Sequence, residues 1–106
     1  MTEYDISVQG DHVQLKGELD VSNVASFKGR LYDIIDQAEK NLTLDMEELR
    51  YIDSAGLGIL VGAYKRLKQK QLGMTIIHAM DNIRKLFSVT KLDTMIPIGG
   101  AREENI

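Results

Sequence analysis

The chain has no cysteine, which removes a disulfide framework and any thiolate metal site and fits a reducing compartment. It has one proline, Pro97, and no low-complexity stretch, so nothing in it reads as a linker between domains. No apolar run approaches the length of a membrane span, and the start, Met1-Thr2-Glu3-Tyr4-Asp5, lacks the basic and apolar regions of a secretory signal. The expectation is a cytoplasmic protein with no membrane partner. Aromatic residues are scarce too, two Phe and four Tyr, and the net charge is -3. That combination is poorly suited to gripping nucleic acid through phosphate contacts and base stacking.

What is present suits one compact domain over residues 1–106, since 106 residues at 43% hydrophobic supply a single core and not two. Charge is unevenly divided. Residues 1–53 carry 12 acidic and 5 basic side chains, and residues 54–106 carry 4 and 8. Most of the basic excess sits in Lys65, Arg66, Lys68 and Lys70. There it reads as the last turns of a helix, whose negative end cations complement.

Hydrophobic periodicity predicts alternating strands and helices. Tyr4, Ile6 and Val8 alternate with polar residues, as do Val13 and Leu15, and Gly10-Asp11 between them has the turn chemistry of a hairpin. From Ser22 the apolar residues Val24, Phe27, Leu31, Ile34, Ile35 and Ala38 recur at three and four, which predicts a helix to about Lys40. Leu42 to Met46 reads as a short buried strand. A second helix starts near Ser54, carries Leu57, Leu60, Val61, Tyr64 and Leu67 on one face, and stops near Gly73, a suitable residue to follow a helix. Gly58 and Gly62 lie one turn apart on it, so both are predicted to admit a close neighbour. Met74 to Ile77 forms a further strand, Asp81 or Asn82 caps a short helix, and Met95 to Ile98 reads as a last edge strand in which Pro97 favours the edge. The fold class is α/β, a mixed sheet of four to five strands, with an N-terminal hairpin followed by parallel strands and three to four helices packed on it.

In such a sheet the loops after the carboxyl ends of the parallel strands gather at one edge. Here they are Gly17-Glu18-Leu19-Asp20, Asp53-Ser54 and His78 to Asp81, so three polar loops are predicted to converge around Ser54. The run Asp53-Ser54-Ala55-Gly56-Leu57-Gly58 puts a hydroxyl beside a carboxylate at a helix start. Two readings stand side by side there: Ser54 as a plain N-cap, or as a phosphate carrier at a position where unpaired N–H groups and the helix dipole favour an anion.

Catalytic readings are thinner. Ile52-Asp53-Ser54-Ala55-Gly56 lacks the first glycine of a nucleophile elbow. A serine hydrolase would need His78, oriented by Asp81, as its base, because His12 lies in the hairpin at the chain's start. Gly56-Leu57-Gly58 does not match the spacing of a phosphate-binding loop. Scattered carboxylates and two separated histidines suggest no metal site, and no cofactor is implied.

Three segments carry a resemblance to a known family. Gly17-Glu18-Leu19-Asp20, Ile52-Asp53-Ser54-Ala55-Gly56-Leu57-Gly58 and Arg84-Lys85-Leu86-Phe87 resemble the G-E-[LI]-D, D-S-[ST]-G-L-G and R-x-L-F segments of the anti-sigma factor antagonists, single-domain STAS proteins. The resemblance implies a STAS-like fold and partner switching, with the catalytic machinery on the partners and not on this chain. The unphosphorylated antagonist binds an anti-sigma factor with serine kinase activity and so releases a sigma factor; phosphorylation abolishes binding, and a PP2C-type serine phosphatase resets the switch. Carried over by position, Ser54 is the phosphoacceptor, and Asp20, Ser22, Asn23, Asp53, Ala55, Gly56 and Leu57 belong to the partner-contacting surface. Two residues depart from the pattern. Ala55 replaces a second hydroxyl, and Lys91 stands where the family often has glycine after the third helix. The alternatives are an adaptor subunit of a transport or stressosome-like assembly and the hydrolase using Ser54 and His78.

Overall fold

The computed structural model describes residues 3–99. Strand β1 (Tyr4–Gln9) turns through Gly10, at φ 65, into antiparallel β2 (His12–Leu19). Helix α1 (Val24–Gln37), strand β3 (Leu42–Ile52), helix α2 (Ser54–Gln69), strand β4 (Met74–Ile77), helix α3 (Asp81–Val89) and a single 3-10 turn, Leu92–Thr94, follow. The sheet order is β1-β2-β3-β4, with β2, β3 and β4 parallel. The mixed α/β architecture read from the periodicity is therefore the one formed, with four strands and three α-helices among the described residues.

Side chains of the sheet alternate. Val13, Leu15, Leu44, Met46 and Ile76 are buried, and their neighbours Gln14, Lys16, Thr43 and Thr75 are less so, which assigns the two sets to opposite faces. Phe27, Leu31 and Ile35 of α1 and Leu57, Leu60, Ala63 and Leu67 of α2 join the buried set in one hydrophobic core. Ile83 and Phe87 of α3 and Ile96 complete it.

Several boundaries differ from the periodicity. Strand β3 runs for 11 residues instead of ending at Met46, because Leu49 and Ile52 return to the core beyond the acidic pair. On the exposed side Glu48 and Arg50 pair with Lys16 at 4.0 Å and Glu18 at 3.8 Å on β2, and two register shifts against β2 absorb the irregularity. Met95 to Ile98 is not a strand. Ile98 makes an isolated parallel bridge to Ile76, and Pro97, whose carbonyl accepts the Ile76 N–H at 2.9 Å, has no N–H to continue a ladder. Helix α1 begins at Val24 and ends at Gln37, so Ser22 and Lys40 lie outside it.

Helix α2 ends before Gly73. The left-handed residue is Gln71, φ 63; its N–H reaches the Lys68 carbonyl and the Leu72 N–H the Leu67 carbonyl, both at 2.9 Å, the two bonds of a Schellman end. Gly73 instead receives the Asn41 Oδ1 on its N–H at 2.9 Å and joins β4 to the start of β3. Neither Asp81 nor Asn82 caps α3: Met80 is the cap residue, without a side-chain bond, and Asp81 sits in the first turn.

Two residues of the basic cluster, Arg66 and Lys70, also reach the neighbouring helix α1. Arg66 forks onto Asp36 at 2.7 and 2.9 Å, and the Lys70 ammonium donates to the carbonyls of Ile35, Asp36 and Ala38 at 2.7 to 2.9 Å. Lys70 thus satisfies the carbonyl end of α1, which explains why α1 stops there without a glycine.

Candidate functional site

The edge at the carboxyl ends of β2 and β3 is built by backbone pairing. Leu19 stands opposite Ile52, and the Asp53 N–H donates to the Leu19 carbonyl at 3.2 Å. The residues that follow, Asp20 and Ser54, are consequently brought to one edge although 34 positions separate them in the chain. The third loop is not. Because β4 pairs only with the first part of β3, ending at Ile77 opposite Asp45, His78 stops seven residues of β3 short of Ile52, about 23 Å at the rise of a strand. Two loops converge on Ser54, and His78 with Asp81 is withheld from it.

Asp53 is the N-cap of α2. Its extended backbone aims Oδ1 at the N–H groups of Ala55, 3.0 Å, and Gly56, 3.1 Å, while its carbonyl takes the Leu57 N–H at 3.0 Å. Capping, one of the two readings of Ser54, is thereby performed by its neighbour. Ser54 is the first helical residue and is exposed. An aspartate in this role also means that part of the anion-binding capacity of the helix start is already occupied by a carboxylate.

The first loop is held by its own polar groups. Asp20 Oδ1 accepts the Ser22 N–H at 2.8 Å and the Ser22 hydroxyl at 2.6 Å. Asn23 Oδ1 accepts the Asp20 N–H at 3.1 Å, and its Nδ2 donates to the Glu18 carbonyl at 2.9 Å. Gly17 at the head of this segment has φ 92, and a Cβ there would collide with the Glu3 carbonyl, so the glycine of the motif is demanded by the hairpin and not by a ligand. Gly56 is demanded by packing: a Cβ would lie 2.6 Å from Ile52 Cγ1. Gly56 and Leu57 are buried and Ala55 half-buried, so these three shape the edge from beneath, whereas Ser22 and Ser54 are exposed on it and Asp20, Asn23 and Asp53 are half-exposed.

Two further residues belong to this edge and carried no signal in the periodicity. Val21 is 77% exposed in the first loop and Tyr51, opposite Glu18, is 47% exposed, two large apolar groups beside the polar ones. On the other side of Ser54 a groove of about 290 Å³ is lined by Leu57, Val61, Lys91, Leu92 and Met95. Lys91 holds φ 62, so the place where the family often has glycine is indeed a left-handed one, here occupied by a cation. The only hint of Val21 in the sequence was an aliphatic residue inside a polar turn.

Both histidines lie elsewhere, on Asp45: His12 Nε2 and His78 Nδ1 each stand 3.1 Å from one of its oxygens. Burial raises the Asp45 carboxyl, but the Glu47 N–H and the two imidazoles outweigh it and hold it below the usual carboxylate range. With His78 held there, the edge around Ser54 has no histidine base among the described residues. No helix among them is long and apolar enough to cross a membrane.

Comparison with known proteins agrees with this fold. The STAS domain profile matches residues 3–105. The chain is 33% identical over 98 residues to the anti-sigma-B factor antagonist of Listeria monocytogenes, covering 89% of this chain and 84% of that one. It is 31% identical over 91 residues to the anti-sigma-B factor antagonist of Staphylococcus aureus, covering 86% and 84%. Among solved structures, the anti-sigma factor antagonist SpoIIAA of Bacillus superposes in its unphosphorylated form with a TM-score of 0.75 at 24% identity, over 96% of this chain and 90% of that one. A structure of its phosphorylated form superposes at 0.69.

Proposed function

This chain belongs to the STAS domain family, among the anti-sigma factor antagonists, and we propose that it binds an anti-sigma factor through the Asp20–Ser54 edge and releases it when Ser54 is phosphorylated. The observation that carries this reading is the division of labour between Asp53 and Ser54. The aspartate caps the helix, so the serine hydroxyl stands exposed and can be modified without dismantling α2. The anti-sigma factor is itself the serine kinase, and a PP2C-type phosphatase removes the group. This chain contributes the acceptor and the shape around it.

The phosphate adds about -1.5 to -2 charges. The helix dipole favours them and the neighbouring Asp53 carboxylate opposes them. On an exposed residue the two nearly offset, and the free domain keeps its fold. The effect arises at the interface, where a dianion would have to be desolvated beside Val21 and Tyr51 against a surface shaped for a hydroxyl. A loss of about 2.8 kcal/mol weakens binding a hundredfold.

The test pairs the purified chain with the serine-kinase anti-sigma factor of its own cell and ATP. One phosphoryl group is expected by intact mass, absent in Ser54→Ala, and calorimetry is expected to show Ser54→Ala bound and Ser54→Asp bound at least about a hundredfold more weakly. Phosphorylation that persists in Ser54→Ala overturns the assignment. Asp20→Ala releases Ser22 from its turn and should weaken binding while leaving the circular dichroism spectrum and melting cooperativity unchanged.

A further inference from the structure

We propose that Asp45, Glu47 and His78 bind one divalent transition-metal ion of the Zn2+ class, with His12 orienting the Asp45 carboxylate. The cluster lies on the less buried face of the sheet, where β2 supplies His12, β3 supplies Asp45 and Glu47, and the residue after β4 is His78. Donor atoms of Asp45, Glu47 and His78 all lie within 4.8 Å of one another.

Asp45 is the one buried charged side chain among the described residues, 6% exposed. A buried carboxylate is retained only with strong partners, and this one is built around: Oδ1 faces the Glu47 N–H at 3.0 Å and His78 Nδ1 at 3.1 Å, and Oδ2 faces His12 Nε2 at 3.1 Å. The separation of Oδ1 from Nδ1 is close to the edge of a coordination tetrahedron, about 3.3–3.4 Å for metal bonds near 2.1 Å. A metal ion can therefore replace the shared hydrogen, with His78 binding through Nδ1 as the tautomer protonated on Nε2. Exposed Glu47 closes onto the ion by a rotamer change and leaves the fourth position to water. His12 stays on the other oxygen, the kind of outer hydrogen bond that fixes a ligating carboxylate.

The donor set decides the ion. One imidazole with two carboxylates suits Zn2+ and its first-row neighbours, whereas Mg2+ and Ca2+ prefer oxygen throughout. The site would pin β3 to the start of the β4–α3 connection. It is independent of Ser54, so neither proposal stands or falls with the other.

The experiment is a calorimetric titration of the full chain, free of any affinity tag, with Zn2+ and separately with Mg2+. Expected are one Zn2+ per chain, no Mg2+ heat, at least about a hundredfold weaker binding in His78→Ala and about 10–100-fold weaker binding in His12→Ala. His78 is one-third exposed in its side chain, 35%, so its removal leaves the core intact, which circular dichroism checks. In the unmutated protein, Zn2+ should shift the amide resonances of residues 12, 45–47 and 78. The proposal is overturned if the chain shows no saturable Zn2+ binding, if His78→Ala binds as the wild type does, or if the shifts fall on other carboxylates.

Discussion

At the scale of the residue, the glycines of α2 separate by what their missing side chains would meet. Gly56 faces Ile52 at 2.6 Å and Leu19 Cβ at 3.5 Å in the buried core, so Gly56→Ala should lower unfolding free energy by about 1–3 kcal/mol in urea titration. Gly58 faces open space, and Gly58→Ala should raise it by up to ~1 kcal/mol through helix propensity. Gly62 abuts the hydroxyl of Tyr32, the tip of a half-buried ring that Arg66 covers at 4.8 Å. A larger residue there displaces the ring and not the core. Of the two glycines expected to admit a close neighbour, Gly62 does so, toward Tyr32 of α1, and Gly58 does not. Gln71 completes the set: it holds a left-handed conformation that disfavours a Cβ by roughly 1–2 kcal/mol, so Gln71→Gly should stabilise the domain by about 1 kcal/mol in the same measurement.

At the scale of the element, α1 and α2 are joined at their ends by charge. Lys70 closes the last carbonyls of α1 and Arg66 forks onto Asp36, whose carboxyl is lowered chiefly by the hydrogen bond from that guanidinium. Lys70→Met keeps the apolar stem and removes the ammonium, and should cost about 1–2 kcal/mol, since three carbonyls lose a charged donor. Hydrogen exchange should quicken at the amides of residues 33–38 in this variant while the strands keep their protection. Protection unchanged across α1 would show that water replaces the lysine without loss. The sequence had assigned these cations to the end of their own helix, and Arg66 and Lys68 do lie in its last turn; the packing of α2 beside α1 adds the contacts that Arg66 and Lys70 make to α1.

At the scale of the whole molecule, the sheet separates two polar centres, the Ser54 edge and the Asp45 cluster. Asp45 titrates below the ordinary 3.8, so the folded state prefers its ionised form more than the unfolded state does. Its stabilising contribution is complete above the unfolded value and is lost as pH falls from about 4 through the lower folded value. Unfolding free energy measured from pH 6 to pH 2.5 should therefore drop more steeply for the wild type than for Asp45→Asn, with the slope remaining in the variant owed to Asp36 and other carboxylates. Because the two centres share no residue, phosphorylation of Ser54 should shift amides near residues 20 and 53–58 and leave those of residues 12, 45 and 78 in place.

Local sequence by itself determined the four strands and three helices that form, the hairpin turn, the amphipathic faces and the segment Asp53–Gly58, because each depends on spacing within a dozen residues, whereas the expected strand from Met95 to Ile98 did not form. It also placed Asp20 beside Ser54, and this holds because β2 and β3 end together, with Leu19 opposite Ile52. The tertiary structure alone decided how far each strand runs along its neighbour. A β3 of 11 residues against a β4 of four left His78 at mid-strand, beside Asp45 and His12, and kept it from the serine. No periodicity encodes that mismatch, because it arises from which backbone groups find partners once the helices have fixed the start of each strand.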